Sequence, residues 1–262
     1  MNEAELRAAC DENFVAAFRR LVPHATSERA GAQSFGTAVA VVSGAPGSFF
    51  NPVLVAGSRA EPADVAAAVA WVRARGAEPS IQARADLFPA VEVTGRSLGL
   101  EPEAWTMPGM ALHPIPTAIP GPPTELETVV VETESEIDAW FAAAGEGMRK
   151  VFRTTFARDD NVRLVVGLVG GTPVCQAAAI VSPTAVGIYA VGTIEAARRR
   201  GYGLAVTWAA IAAGREAWAR DAAILQSSEM GERVYRSMGF REVCRYVISV
   251  PPRKPGAAAA AE

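Results

Sequence analysis

Histidine and cysteine are scarce in this chain of 262 residues, and each shortage excludes a class of chemistry. With His24 and His113 as the whole histidine inventory, a multi-histidine metal site is ruled out, and no metal is expected. Each histidine is read as a surface or structural residue. The three cysteines, Cys10, Cys175 and Cys244, show neither zinc-ligand spacing nor a disulfide framework. They read as small buried hydrophobes, and their odd, sparse count suits a reducing compartment, so a cytoplasmic location is expected. No run of 18 apolar residues exists, which leaves no candidate membrane helix. The acidic N-terminus has no basic segment ahead of an apolar one, so no secretory signal is read there. Neither charge sign dominates: 25 basic residues face 28 acidic ones, which gives no overall footprint for nucleic acid or an anionic membrane. The P-loop pattern is missing. The dinucleotide pattern also fails, because Val206 stands where its third glycine belongs and 194–200 separate Thr193 from Gly201.

What is present is a globular composition. Half the residues are apolar and 20% are charged, so a full core can form. The length suits one large domain or two small ones.

The stretch 191–205 organises the chain. An apolar run, 186–191, reads as a buried strand. Three arginines follow, Arg198, Arg199 and Arg200, then Gly201-Tyr202-Gly203. Leu204, Trp208, Ile211 and Trp218 continue at helical spacing. The order is strand, basic glycine-rich loop, helix. A helix N-terminus offers unpaired N–H groups and about half a positive charge. Glycine lets a ligand approach the backbone closely. Together with the arginines, these make a site for phosphate or pyrophosphate.

Arg198-x-x-Gly201-x-Gly203 resembles the acyl-CoA loop of the GNAT acetyltransferases, Arg/Gln-x-x-Gly-x-Gly/Ala. The stretch 228–240 resembles that family's other hallmark, a helix carrying a tyrosine, Tyr235, closed by Gly239-Phe240 and followed by a strand. Seven residues before the tyrosine the family often has asparagine; here Ser228 stands there and keeps a polar contact. The two motifs fall in the family's order with a strand, 222–226, between them. The resemblance implies an α/β (α+β) fold with a mixed, mostly antiparallel central sheet flanked by helices. It also implies acetyl-CoA as acyl donor.

Taken from the start, 3–22 reads as an amphipathic helix with Leu6, Cys10, Phe14, Ala17, Phe18 and Leu21 on one face. Strands are expected at 38–43, 52–56, 80–82 and 105–112, and helices at 61–75 and 85–98. This order parallels the second half, so residues 1–113 look like a degenerate GNAT-like half, giving tandem GNAT-like halves. The half departs from the family where function would sit. Its 57–62 loop has no Arg-x-x-Gly-x-Gly, and its last helix has Phe88 and Val91 but no tyrosine. It is expected not to bind CoA and to serve packing or the acceptor side. Pro114, Pro116, Pro120, Pro122 and Pro123 mark 114–124 as a linker. The catalytic domain is expected at 125–251, with strands at 126–131, 163–169 and 173–181. Ser135 is read as a helix cap, 145–156 as a second helix, and Gly170-Gly171 as a hairpin turn. Pro- and Ala-rich 252–262 reads as a disordered tail.

The resemblance implies acyl transfer to an amine. The backbone of Val191, Gly192 and Thr193 would pair with the pantetheine arm, and a strand N–H near Val191 would bond the thioester carbonyl. Arg198, Arg199, Arg200, Gly201, Tyr202, Gly203 and Leu204 would hold the pyrophosphate, with Ser228 beside the cofactor. Tyr235 would be the general acid. The strand 186–191 carries no carboxylate and offers only Tyr189, so the general base is left unassigned. The acceptor is a small-molecule or peptide amine of unspecified identity. Two other functions stay open: a non-catalytic CoA-binding module, and a tandem-GNAT transferase of a larger acyl or aminoacyl group.

Overall fold

The computed structural model describes residues 1–252; all but the first residue of the expected tail lies outside them. Eleven strands form one sheet in the order β1-β2-β3-β4-β11-β5-β10-β9-β8-β7-β6. In chain order, α1 (Glu3–Leu21) is followed by β1 (Gly31–Phe35), β2 (Ala38–Val42) and β3 (Pro52–Val55). Then come α2 (Pro62–Ala74), β4 (Ser80–Arg84), α3 (Phe88–Ser97) and β5 (Glu101–Leu112). The second half holds β6 (Glu127–Val130), α4 (Glu134–Ala144), α5 (Glu146–Val151), β7 (Val162–Val169), β8 (Thr172–Val181) and β9 (Val186–Thr193). It closes with α6 (Tyr202–Trp218), β10 (Ala223–Gln226), α7 (Glu229–Ser237) and β11 (Arg241–Val250).

Read outward from the central β11/β5 pair, β4-β3-β2-β1 on one side mirrors β10-β9-β8-β7 on the other, with β6 added at the edge. The halves exchange their last strands: β5 pairs with β10 of the second half, and β11 pairs with β4 of the first. The boundary expected at 113 and 125 therefore does not separate two sheets. Glycines start both crossings. Gly99 and Gly239 adopt φ of +72° and +94° after α3 and α7. Leu100 N–H then donates to Gly95 O at 2.9 Å, and Phe240 N–H to Tyr235 O at 3.0 Å. Such left-handed caps close a helix and turn the chain away from it.

Helix α1 covers the middle of the sheet. Asn2 caps it, with Glu5 completing a capping box. Leu6, Cys10 and Phe14 pack with Met107, Ala111, Ile224 and Tyr246, residues drawn from both halves. On the same side, Trp140 of α4 is fully buried and donates from Nε1 to Ala177 O of β8 at 3.0 Å. Replacing such a tryptophan by alanine costs ~3–5 kcal/mol. The other side carries α2 and α3 over the first half and α6 over the second.

Three local expectations are corrected. Thr133, not Ser135, caps α4: its side chain accepts from Glu136 N–H, and Glu136 bonds back to the cap. A Thr-x-x-Glu box satisfies two orphan donors at once and outcompetes a lone serine two residues on. The second helix stops at Val151, because Phe152 is extended and bridges Ala25, after which 154–158 form a 3-10 turn. The proline-rich 114–124 forms no regular element, but it is not a free linker. Ile115 is buried and its N–H donates to Asp221 O at 3.0 Å, Arg215 donates to Pro116 O at 2.7 Å, and Ile119 packs on the α6 core. Among the described residues no helix is long and apolar enough to cross a membrane.

Candidate functional site

The site begins with a failure of pairing. β9 and β10 run parallel but meet only through Val186↔Ala223 and Gly187↔Ile224. Beyond Gly187, β9 pairs with β8 alone, while Leu225 and Gln226 of β10 pair with β5. Two parallel strands that part after their first residues leave a wedge, with one backbone edge of β9 unpaired along it. A bulge sharpens the wedge. Ala177 of β8 faces two β9 residues, Ala190 and Val191, and Ala190 takes φ of +49°. For a non-glycine residue that conformation costs about 1 kcal/mol. A bulge leaves its extra residue out of the ladder and re-aims the backbone. The bulge lies where the sequence placed the Val191 N–H as an acyl-oxygen donor. Ala190 itself was missed, because no glycine marks the left-handed position.

The N-terminus of α6 closes the wide end. Its cap is Gly201, at φ +79°, with no side-chain bond to the first turn. The first helical bond is Ala205 N–H to Gly201 O at 3.0 Å, which leaves the amides of Tyr202, Gly203 and Leu204 without a partner among the described residues. Gly203 lies against the end of β9: a Cβ there would stand 3.3 Å from Thr193 Oγ1. Arg198, Arg199 and Arg200 are exposed, and none forms an ion pair among the described residues. Arg198 Nε donates to Thr193 O at 3.2 Å, which ties the arginine loop to the strand end. Arg199 also takes positive φ, +64°.

Tyr202 does not face a ligand. It is 1% exposed, and its hydroxyl donates to Glu125 Oε1 at 2.9 Å. Its ring belongs to the α6 core, where a residue at the first helical position points when the glycines on both sides take the outer face. Tyr202 therefore anchors the loop rather than binding through its side chain. The sequence missed Glu125 as its partner because 77 positions separate the two.

Ser228 caps α7, its Oγ accepting from Gly231 N–H at 3.2 Å. Tyr235 is half-buried with its ring 5.9 Å from that of Phe240. It packs against the same hydrophobic core as Val191, Ile194 and Leu204. Its hydroxyl makes no hydrogen bond among the described residues. Burial pushes its pKa up to about 12. Tyr189 is tied up: its hydroxyl donates to Asn13 Oδ1 at 2.7 Å, and Asn13 Nδ2 donates to Ile180 O at 3.2 Å. Its pKa too is raised by burial, which suits a structural role. Gln226, the last residue of β10, has its Oε1 buried without a partner among the described residues, while Nε2 donates to Cys10 Sγ at 3.5 Å. No group of three metal-binding side chains occurs among the described residues.

The first half has no such wedge. β3 and β4, the counterparts of β9 and β10, pair from Pro52↔Ser80 to Val55↔Ala83, along all of β3.

Neither a protein-family model nor a curated protein matches the sequence. Solved structures do match. A GCN5-related N-acetyltransferase from Kribbella flavida superposes with a TM-score of 0.70 at 21% identity, over 93% of this chain and 96% of that one. A GCN5-related N-acetyltransferase from Sphaerobacter thermophilus gives 0.57 at 18% identity, over 81% of this chain and 76% of that one. A tandem GNAT protein from the clavulanic acid biosynthesis pathway gives 0.55 at 13% identity, over 83% and 79%. The splayed strands, the uncapped basic helix start and these superpositions agree: the chain has the GNAT fold, with tandem halves joined in one mixed, mostly antiparallel sheet.

Proposed function

We propose that this protein is an acyl-CoA-dependent N-acetyltransferase that moves an acetyl group from acetyl-CoA to an amine. The observation that carries the reading is the β9–β10 wedge opening onto the uncapped N-terminus of α6. It offers an unpaired strand edge for an extended amide chain beside a cationic helix start for a pyrophosphate. A cofactor with a phosphate end, an amide arm and a thioester end suits that order of features. The Kribbella flavida and Sphaerobacter thermophilus neighbours are named GCN5-related N-acetyltransferases, which supports the same activity.

When bound, acetyl-CoA supplies an activated thioester and a thiolate leaving group. The chain's own contribution is electrostatic and positional. The free amides of Tyr202, Gly203 and Leu204 with Arg198, Arg199 and Arg200 hold the phosphates. The edge of Val191, Gly192 and Thr193 lines up the arm. A backbone N–H at the Ala190–Val191 bulge is the donor to the acyl oxygen, and one such donor is worth ~3 kcal/mol in a barrier.

Tyr235 supports the leaving sulphur. A thiol titrates at about 8.5, whereas the half-buried Tyr235 is pushed up to about 12. Full proton transfer between such a pair runs uphill. The hydroxyl therefore acts as a hydrogen-bond donor to the developing thiolate, and solvent completes its protonation. This narrows the general-acid role expected of Tyr235 to hydrogen-bond donation. No carboxylate lies on β9 to serve as a general base.

The test is direct. Acetyl-CoA titrated by calorimetry should bind, and free thiol should appear when amines are added from a panel of small amines, amino acids, aminoglycoside-type antibiotics and peptide N-termini. Binding without thiol release from any amine would reduce the protein to a CoA-binding module. No binding would overturn the reading.

A further inference from the structure

Away from the wedge, the first half contains a cavity of about 260 Å³ at the end of β2. Three chain segments meet there: Ser27–Arg29, the loop 43–51 between β2 and β3, and the Arg75–Glu78 turn after α2. The loop is built, not loose. Asn51 is 3% exposed; its Oδ1 accepts from Ser43 N–H at 3.2 Å, and its Nδ2 donates to Ala45 O and Gly47 O at 3.3 and 2.9 Å. Gly44 and Gly47 take φ of +84° and +89°, which a residue with a Cβ rarely adopts. Their amides have no partner among the described residues.

Two arginines, Arg29 and Arg75, line this cavity, and neither forms an ion pair among the described residues. Arg75 is held in place: its Cζ lies 3.9 Å over the Trp71 ring. Its Nε is buried and donates to nothing. That nitrogen packs against β1, where a Cβ on Gly31 would stand 3.4 Å from it. Arg29 reaches across Gly76, where a Cβ would sit 3.0 Å from its Nη1; the glycine leaves room for that approach. Glu78 lines the cavity too but pairs with neither arginine. Two forked cations beside a rigid glycine loop with free amides match a compact dianion with several oxygens.

We propose that Arg29, Arg75 and the Gly44–Gly47 loop form a second anion site that takes a phosphoryl group, separate from the α6 loop and independent of the transferase reading. The phosphoryl group comes either from free phosphate or from a phosphomonoester, and the cavity has room for the small remainder of such an ester.

The test uses the full chain labelled with nitrogen-15 and follows the Nε–Hε resonance of Arg75, which reports this cavity and not the α6 loop. Inorganic phosphate and glycerol phosphate are titrated separately. The resonance should shift and saturate, with tighter saturation for whichever source the cavity is built to hold. Arg29→Ala, at an exposed position, should weaken the response about tenfold, as loss of one charge-assisted partner does. Ala45→Glu, which puts a carboxylate in the cavity, should abolish it while the remaining spectrum stays native. An Arg75 resonance that ignores both probes would overturn the site. So would a response unchanged in Arg29→Ala, or one that survives Ala45→Glu.

Discussion

Gly203 and Thr193 touch across the wide end of the wedge: a Cβ on Gly203 would lie 3.3 Å from Thr193 Oγ1. The contact sets the start of α6, with its free amides, directly against the end of β9. Gly203→Glu would extend a carboxylate from this point into the space meant for phosphates. Acetyl-CoA affinity should fall about a hundredfold or more, since the change replaces a favourable helix-start site with repulsion. Calorimetry measures the loss, and an unchanged melting temperature shows that the fold persists. Native affinity in a folded variant would remove the phosphate role of the loop.

One acetyl-CoA should bind per chain. The first half pairs β3 with β4 along all of β3 and carries no arginine cluster in the 56–61 loop, so it has neither wedge nor cradle. A titration that saturates at two equivalents with similar affinity would contradict this.

Tyr235→Phe should lower kcat and kcat/KM together, by about tenfold to a hundredfold, with little change in acetyl-CoA Kd. The loss falls at or below the roughly hundredfold lower end of acid assistance, because a hydroxyl raised to about 12 donates a hydrogen bond rather than a full proton. The raised value has a second consequence. The hydroxyl keeps its proton up to that pH, so the alkaline limb of a pH–rate profile should be the same in wild type and variant. A limb present only in the wild type between pH 8 and 10 would show a lower tyrosine pKa and a true acid.

Asp159 fastens the end of α1 to the turn before β7. Its Oδ2 accepts from His24 Nε2 at 3.0 Å and lies 3.4 Å from Arg20, and its Oδ1 accepts from the Asn161 amide at 2.9 Å. Burial opposes its charge, but the Asn161, His24 and Arg20 partners win and hold its pKa down to about 2. A depressed carboxylate stabilises the fold above its unfolded value of ~3.9, and that stability is lost as pH falls through the folded value. Asp159→Asn should therefore cost about 2 kcal/mol at neutral pH, in proportion to the shift. The gap to wild type in denaturant melts should close between about pH 4 and pH 2. A gap that stays constant over that window would place the effect in packing.

Much of the architecture was legible in local pattern. The Arg198-x-x-Gly201-x-Gly203 loop, the Gly239-Phe240 closure and the Gly170-Gly171 hairpin are short-range signals. Each depends on residues that touch their own neighbours, so spacing alone reveals them. The two helix–strand units and their order followed from periodicity for the same reason. What pattern hid was the partner of each element. Tyr202 sits inside a basic, glycine-rich motif and looks like a ligand contact. It is buried because Glu125 and the α6 core lie on its far side. Ala190 carries no mark of positive φ, and its conformation is imposed by the bulge against β8.

By itself the sequence determined the strand–loop–helix unit, its charge and its tyrosine helix, because those are properties of contiguous residues. Only the tertiary structure decided that β5 and β11 change places, so that two tandem halves share one sheet under α1. Nothing local distinguishes a strand that pairs at home from one that crosses. Both satisfy the same backbone hydrogen bonds and bury the same apolar face. The choice rests on long-range packing: Cys10 and Phe14 of α1 need Met107 and Ala111 from the first half and Ile224 and Tyr246 from the second beneath them to close the core.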